Sequence, residues 1–87
     1  SGEVTQKGNP PPPSSGYVPP KGKKPEESWN KTKGGWEDKN GNIWVPDRAG
    51  HGINRGTGDT DHWDVQNKNG TGYVNVGANM GRQRQST

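Results

Sequence analysis

The chain has 87 residues, of which 20% are hydrophobic, and it contains no Cys, no Phe and no Leu. A domain this small buries only a modest part of its surface, and without disulfides it must build its core from four Trp and two Tyr. The net charge of +3 suits a polyanionic partner and equally an ordinary soluble protein with excess Lys, and no segment is long and apolar enough for a membrane span or a signal sequence.

The first 25 residues consist largely of Pro, Gly, Ser and Lys, with proline runs at Pro10–Pro13 and Pro19–Pro20. Such a composition favours extended polyproline conformations and offers too little apolar surface to offset the entropy lost on ordering. Residues 1–25 are therefore predicted to be a linker or passage segment, in which Tyr17 and Val18 can still pack locally. A proline-rich ligand for a recognition domain is the less favoured alternative. The Ser-Gly start without Met indicates a piece of a longer protein.

Residues 26–81 are predicted to form the folded domain, and residues 82–87 a basic, frayed tail. Glu26–Asn30 are expected to form a single helical turn with Pro25 near its start. Residues 47–58 contain four Gly and no apolar alternation, so they are predicted to be a loop.

A first β-hairpin is predicted at Trp36–Val45, because apolar residues flank the Asn-Gly pair at Asn40 and Gly41. Asn-Gly is the strongest short-range signal for a two-residue turn between strands. Pro46 is expected to end the second strand. The predicted pairs are Trp36 with Val45 and Asp38 with Ile43.

A second hairpin is predicted over residues 62–77, around the Asn-Gly pair at Asn69 and Gly70. Side chains alternate between faces along a strand, so one face of this hairpin is wholly apolar and the other carries an imidazole, a carboxylate, amides, an ammonium and a phenol. The predicted pairs on the apolar face are Trp63 with Val76 and Val65 with Val74. Those on the polar face are His62 with Gly77, Asp64 with Asn75, Gln66 with Tyr73 and Lys68 with Thr71.

Two hairpins with similar turns and no helical period predict an all-β, β-dominated fold. The expected architecture is a small twisted antiparallel sheet or half-barrel, preceded by the Pro-rich extended N-terminal segment. Its apolar face then forms a core closed by the Trp residues, and its polar face is the candidate functional surface.

The polar face carries two residues suited to acid-base chemistry, His62 and Asp64. Their alpha carbons are expected to lie about 6.5–7 Å apart, so both side chains can reach one phosphodiester. One can accept the proton of an attacking ribose 2′-hydroxyl while the other protonates the leaving 5′-oxygen. This layout predicts a metal-independent ribonuclease without a cofactor, which leaves a 2′,3′-cyclic phosphate and a 5′-hydroxyl.

Other residues on this face and in the adjoining loop are candidates for binding the substrate or neutralising its charge. Lys68 is a candidate for stabilising the charge that develops on the phosphoryl oxygens. The candidate substrate-binding residues are His51, Arg48, Arg55, Tyr73 and Gln66.

The same residues have simpler explanations. A His beside an Asp on an exposed strand face is more often a solvated or hydrogen-bonded pair than a catalytic one. Asp59 and Asp61 can be turn formers, or they can join Asp64 in holding a divalent ion, as in a metal-dependent DNA nuclease. A non-catalytic RNA- or protein-binding module is a further alternative. A zinc site is not expected, because the chain has two His and no Cys.

Trp63-Asp64, Gln66 and Gly72-Tyr73 stand in the order and at the spacing found in the cytotoxic domain of the ribosome-cleaving colicins, which this hairpin resembles. The resemblance covers only this part of the chain. It implies a small, strongly twisted antiparallel sheet and a catalytic role for Asp64.

The chain departs from the colicin pattern at two positions. Asn67 and Thr71 stand where that family has its catalytic His and Glu. The resemblance therefore implies that acid-base chemistry has moved to other residues: His62, with Asp61 or Asp59 as helper, and Lys68 on the phosphate.

A Pro-rich passage segment followed by a short, basic, Cys-free domain also resembles the C-terminal nuclease domains of bacterial polymorphic and contact-dependent growth inhibition toxins. This resemblance implies secretion or cell-surface delivery as part of a larger protein and action in the target-cell cytoplasm. It implies an acidic cognate immunity protein as partner, and RNA as substrate, with 16S ribosomal RNA ahead of transfer RNA.

Overall fold

The computed structural model describes residues 8–46, 60, 62–70, 72–77 and 81–86, which form six strands and two 3-10 helices. The six strands make one antiparallel sheet in which each strand pairs with the next along the chain. This confirms the predicted β-dominated fold and adds strands on both sides of the two predicted hairpins. The strands are β1 (Trp29–Asn30), β2 (Gly35–Glu37), β3 (Ile43–Pro46), β4 (His62–Gln66), β5 (Tyr73–Gly77) and β6 (Gly81–Ser86), and the helices are η1 (Pro13–Ser15) and η2 (Pro25–Glu27).

The hydrophobic core lies on one face of the sheet, because each of five neighbouring strands places an apolar residue at the same level. The indole rings pack edge to face, with centroids 5.0 Å apart for Trp29 and Trp36 and 6.0 Å apart for Trp44 and Trp63. Such geometry stabilises aromatic pairs beyond the burial of their area. From β1 to β5, the aligned residues are Trp29, Trp36, Trp44, Val65 and Val74.

The predicted helical turn at Glu26–Asn30 begins one residue earlier and is shorter, as η2. Pro25 occupies its first position, and the Glu27 carboxylate accepts the backbone N–H of Lys24 at 2.9 Å. The next residues form β1 instead of continuing the helix, because Trp29 packs on the row of indoles.

The Pro-rich N-terminal segment, as far as it is described, crosses the apolar face of the sheet. Helix η1 lies next to β6, and the Tyr17 ring packs against the Trp44 ring with centroids 5.3 Å apart. The Tyr17 hydroxyl donates to the Glu37 carbonyl oxygen at 2.7 Å, and the Lys39 N–H donates to the Val18 carbonyl oxygen at 2.8 Å. Tyr17 is 5% exposed and belongs to the core. The predicted boundary at residue 25 between linker and domain stays a prediction. The packing of Tyr17 shows that the segment before this boundary contributes to the core.

The first hairpin forms where it was predicted, but its strands are shifted by one residue from the predicted register. Its connection is a three-residue loop rather than a two-residue turn, and such a shift changes which side chains of a strand point to each face. Trp44 therefore lies in the core and Val45 on the other face. In the structure Trp36 pairs with Trp44, not Val45, and Ile43 pairs with Glu37, not Asp38.

The side chain of Asp38 stabilises this longer loop. Its Oδ1 accepts the backbone N–H groups of Asn40 and Asn42 at 2.8 and 2.9 Å, and its Oδ2 accepts the indole N–H of Trp44 at 3.0 Å. Gly41 completes the loop with a φ of +85°, which a residue without a Cβ adopts at little cost. These bonds hold Asp38 and Asn42 opposite each other, so a two-residue turn cannot form.

The second hairpin has the predicted register over its described length. Its connection differs from the predicted two-residue turn at Asn69-Gly70, because the Gly70 N–H donates to the Asn67 carbonyl oxygen at 2.8 Å. Lys68 lies in this loop rather than in a strand, and Thr71, its predicted partner, lies outside the described residues. The confirmed pairs are His62 with Gly77, Trp63 with Val76, Asp64 with Asn75, Val65 with Val74 and Gln66 with Tyr73.

Strand β6 corrects the prediction of a frayed tail over residues 82–87, since the chain pairs with β5 as far as Ser86. A polar edge strand has no apolar alternation by which the sequence could reveal it. The pairing contains a bulge, in which Asn75 of β5 faces two residues of β6, Gln83 and Arg84. A bulge of this kind bends the strand and increases its twist.

Gly35 allows β2 to lie close to β3, and replacing it with Ala is expected to lower the free energy of unfolding by about 3 kcal/mol. A Cβ at this position would lie 2.5 Å from Ile43 Cγ2 and 2.7 Å from the Trp44 carbonyl oxygen. The carbonyl oxygen belongs to the backbone of β3, so it cannot move aside as the end of a flexible side chain can. Urea unfolding followed by Trp fluorescence measures the change.

Gly22→Ala is the matched control for this substitution. Gly22 has a φ of +84° with open space where the Cβ would lie, so only backbone strain of about 1 kcal/mol is expected there. A loss for Gly35→Ala no larger than that of the control would contradict the close approach of β2 and β3.

Candidate active site

The polar face of β4 holds the two central candidates for acid-base chemistry. His62 and Asp64 are half-buried and lie on either side of Trp63, which is 1% exposed and faces the core. Gln66 is exposed farther along the same face. The predicted assignment of the two faces of β4 is therefore confirmed. Strand geometry sets the alpha carbons of His62 and Asp64 about 6.5–7 Å apart.

The strand register gives the two candidates different neighbours. Asp64 lies between Val45 of β3 and Asn75 of β5, whereas His62 lies opposite Gly77. Val45 is buried and Asn75 is half-buried, so the carboxylate has an apolar neighbour on one side and an amide on the other. Ile43 is buried on the same face of β3. This face is thus apolar at β3 and polar at β4 and β5.

Asn75 is a site candidate that the sequence-based selection omitted. It pairs directly with Asp64 and lies opposite the bulge in β6. Its amide can donate a hydrogen bond to a carboxylate or to a phosphoryl oxygen. The sequence contains the signal, because the hairpin pairing already sets Asn75 opposite Asp64.

Two of the predicted substrate-binding residues meet near the β4–β5 turn. Gln66 pairs with Tyr73, and Tyr73 is 40% exposed. An exposed aromatic ring on a sheet can stack on a nucleic-acid base, and the neighbouring amide can hydrogen-bond to the edge of that base. The structure thus brings this predicted pair together on the face that carries Asp64.

Lys68 lies in the β4–β5 turn, and its backbone N–H donates to Asn42 Oδ1 at 3.1 Å. Four residues separate its alpha carbon from that of Asp64, so the two alpha carbons lie at most about 14 Å apart. The structure therefore places Lys68 at the end of the sheet, and its predicted contact with the reacting phosphate stays a prediction.

The family model described as Bacterial toxin 37 matches residues 5–80. The chain belongs to this family. The match includes the part of the N-terminal segment that packs on the sheet as well as the hairpin with His62 and Asp64. No curated protein and no solved structure matches the chain.

Membership of Bacterial toxin 37 confirms that the chain is a bacterial toxin domain of the polymorphic type, with a toxic effector function. It agrees with delivery as part of a larger protein. Where the structure of this toxin domain is described, we find no helix with the length and apolarity that crossing a bilayer requires.

The remaining candidates of the Bacterial toxin 37 domain lie outside the described residues, and their roles stay predictions. Thr60, which stands between two of them, is buried. No three His, Asp or Glu side chains within the described ranges are placed to hold a metal ion. The candidates outside the described ranges are Arg48, His51, Arg55, Asp59 and Asp61.

Proposed function

We propose that this toxin domain is an endoribonuclease that cleaves structured RNA by metal-independent acid-base catalysis. The observation that carries the proposal is the placement of His62 and Asp64 on one face of β4, with the buried Trp63 between them on the other face. The pair stands on a rigid strand, and the indole packed into the core fixes the face to which both side chains point.

The two side chains are spaced to act on opposite sides of one phosphodiester. One takes the proton of the ribose 2′-hydroxyl, whose oxygen attacks the phosphorus, and the other gives a proton to the departing 5′-oxygen. The bond to the 5′-oxygen breaks, leaving a 2′,3′-cyclic phosphate and a 5′-hydroxyl. DNA lacks the attacking hydroxyl and is not a substrate for this reaction.

The substrate and the partner follow from the resemblance to the ribosome-cleaving colicins and from the charge of the chain. We favour 16S ribosomal RNA over transfer RNA as the substrate, and we propose that the domain acts in the target-cell cytoplasm after delivery. A net charge of +3 suits an acidic immunity protein that covers the candidate face in the producing cell.

The proposal is tested by incubating the purified domain with total bacterial RNA in EDTA and sequencing the new 5′ ends. We expect one discrete cut in a single RNA species, with a 5′-hydroxyl on the downstream product. An oligonucleotide with the same site and a single 2′-deoxy sugar at the cut is expected to resist cleavage, because the attacking hydroxyl is missing.

Three other results would each indicate a different function. Cleavage of DNA that EDTA abolishes would indicate a metal-dependent nuclease. RNA binding without any cleavage would indicate a non-catalytic module. A cut in transfer RNA alone would keep the reaction and change the substrate.

A further inference from the structure

The two hairpin loops at one end of the sheet contain the same tripeptide, Lys-Asn-Gly, at residues 39–41 and 68–70. In each loop an Asp or Asn precedes the tripeptide, Asp38 in the first and Asn67 in the second. The sequence thus carries a short internal repeat, of which only Lys68 is among the candidate catalytic residues.

The repeated tripeptides have the same local structure. Oδ1 of Asp38 accepts the N–H of Asn40 at 2.8 Å, and Oδ1 of Asn67 accepts the N–H of Asn69 at 2.9 Å. In both loops the glycine N–H donates to the carbonyl oxygen of the preceding Asp or Asn, at 3.0 and 2.8 Å. The φ angles of the two glycines are +85° and +73°. Equivalent turns therefore present equivalent Lys and Asn side chains.

The two loops form one continuous surface. The Lys68 N–H donates to Asn42 Oδ1 at 3.1 Å, and a Cβ at Gly41 would lie 3.2 Å from Lys68 Cδ, so the Lys68 stem passes over the first loop. The hairpins stand two strand spacings apart, which is about 10 Å. We call the exposed side chains of the two loops the twin-turn surface: Lys39, Asn40, Lys68 and Asn69.

The twin-turn surface has cationic groups without a competing anion in its own loops. No ion pair joins Lys39 or Lys68 to a carboxylate among the described residues. Asp38 is 8% exposed, and its carboxylate accepts two backbone N–H groups and the indole N–H of Trp44. Two ammonium groups and two amides are therefore available to phosphate oxygens.

The twin-turn surface also continues the face that carries the candidate site. Along β4, Asp64 is followed by the exposed Gln66, which pairs with the exposed Tyr73, and then by the loop with Lys68. The chain length between them places the alpha carbon of Lys68 at most about 14 Å from that of Asp64. A nucleic-acid strand that passes over Asp64 and Tyr73 also reaches the two loops, at a point some nucleotides away from the bond that lies at Asp64.

We infer that the twin-turn surface binds the phosphate backbone of RNA at a distance from the scissile bond and sets the affinity for long substrates. The choice of RNA as ligand rests on the proposed function, whereas the binding surface itself rests on the repeated loops. Phosphate contacts hold the strand in place and carry no sequence information, so the cut itself stays specified near β4.

The test compares the double variant K39Q/K68Q with a matched control, K31Q/K33Q. Lys31 and Lys33 are exposed in the β1–β2 loop at the opposite end of the sheet, so both variants lose the same charge. The probe is a fluorescein-labelled 16-nucleotide RNA with 2′-O-methyl sugars, which cannot be cut, and fluorescence anisotropy gives the dissociation constant over a series of KCl concentrations.

We expect K39Q/K68Q to weaken binding on the order of tenfold at about 0.1 M KCl and to lower the salt slope by about 1.4, while the control keeps the wild-type slope. Conservative K39R/K68R is expected to retain wild-type affinity, and thermal melting checks that all variants fold.

Equal weakening in both double variants, or wild-type binding by K39Q/K68Q, overturns the inference. The inference is also overturned if the two loops bind an acidic protein and K39Q/K68Q leaves the affinity for RNA unchanged. If the wild-type domain cuts no RNA and the selective loss of binding is still observed, the inference holds and the proposed function fails.

Discussion

The rate of RNA cleavage is expected to fall by about 10²–10⁴-fold when His62 is replaced with Ala, and by a similar factor when Asp64 is replaced with Asn. Neither residue belongs to the core cluster, so each substitution removes one proton transfer without opening a cavity under the indoles. Initial rates on an oligonucleotide that contains the mapped cut measure the effect, and circular dichroism checks the fold.

The double variant of His62→Ala with Asp64→Asn separates a cooperating pair from two independent contributions. Residues that act as one unit give strongly non-additive effects, so the double variant is expected to be at most about tenfold slower than the slower single variant. A rate that falls by the product of the two single factors would count against the shared mechanism.

Glu26→Gln is the matched control for Asp64→Asn. Glu26 is an exposed carboxylate of η2, far from β4 along the sheet, and the substitution removes the same charge in the same way. We expect the wild-type rate. A comparable loss in this control would assign the effect to net charge and not to a proton transfer at Asp64.

The second hairpin and its two faces can be predicted from the sequence, because independent signals agree there. The Asn-Gly pair locates the turn, and the alternation of Trp63 and Val65 with His62 and Asp64 sets the register. The turn itself differs, but the four-residue loop keeps the same pairing as a two-residue turn, so the error has no effect on the faces.

The first hairpin shows where the same reasoning fails. Its Asn-Gly pair also predicts a two-residue turn, but the Asp38 carboxylate gathers two backbone N–H groups and one indole N–H. These side-chain bonds add a residue to the loop and shift the register by one. As a result Val45, expected in the core opposite Trp36, lies beside Asp64 on the candidate face. These bonds join residues only two to six positions apart, but the Asn-Gly pair alone does not indicate that the Asp38 carboxylate makes all three of them.

The Pro-rich segment and β6 are hidden from sequence reasoning for another reason. Both lack apolar alternation. Strand β6 pairs with the strand just before it, whereas the N-terminal segment packs on strands that are distant from it in sequence. In the N-terminal segment a single aromatic residue, Tyr17, provides most of the packing. The site around Asp64 could be predicted in outline, whereas the position of Lys68 depended on the detailed loop geometry.

Replacing Tyr17 with Ala is expected to lower the free energy of unfolding by about 3–5 kcal/mol. Tyr17 is 5% exposed, its ring packs edge to face on Trp44, and its hydroxyl donates to the Glu37 carbonyl oxygen. Small domains have only about 5–15 kcal/mol in total, so this loss is large enough to unfold a substantial part of the population. Urea unfolding followed by Trp fluorescence measures it.

Tyr73→Ala is the matched control, because Tyr73 is the other tyrosine of the chain and is 40% exposed on β5. We expect a loss below about 1 kcal/mol there. A loss for Tyr17→Ala as small as that of the control would show that the N-terminal segment acts as a linker and contributes little to the core.

Tyr17→Phe removes only the hydroxyl, and with it the part of the pH dependence of stability that comes from the phenol. Burial raises the pKa of Tyr17, and the nearby Asp38 and Glu37 raise it further, against a hydrogen bond with Ser28 that lowers it. The unfolded chain therefore releases the phenolic proton more readily than the folded protein. The stabilising contribution of the Tyr17 phenol to the free energy of unfolding is fully present below about pH 10. It is lost as the pH rises from there through the higher pKa of the folded state. Wild type should lose more stability than Tyr17→Phe between about pH 8 and about pH 11, and parallel losses would place the phenol in water and not in the core.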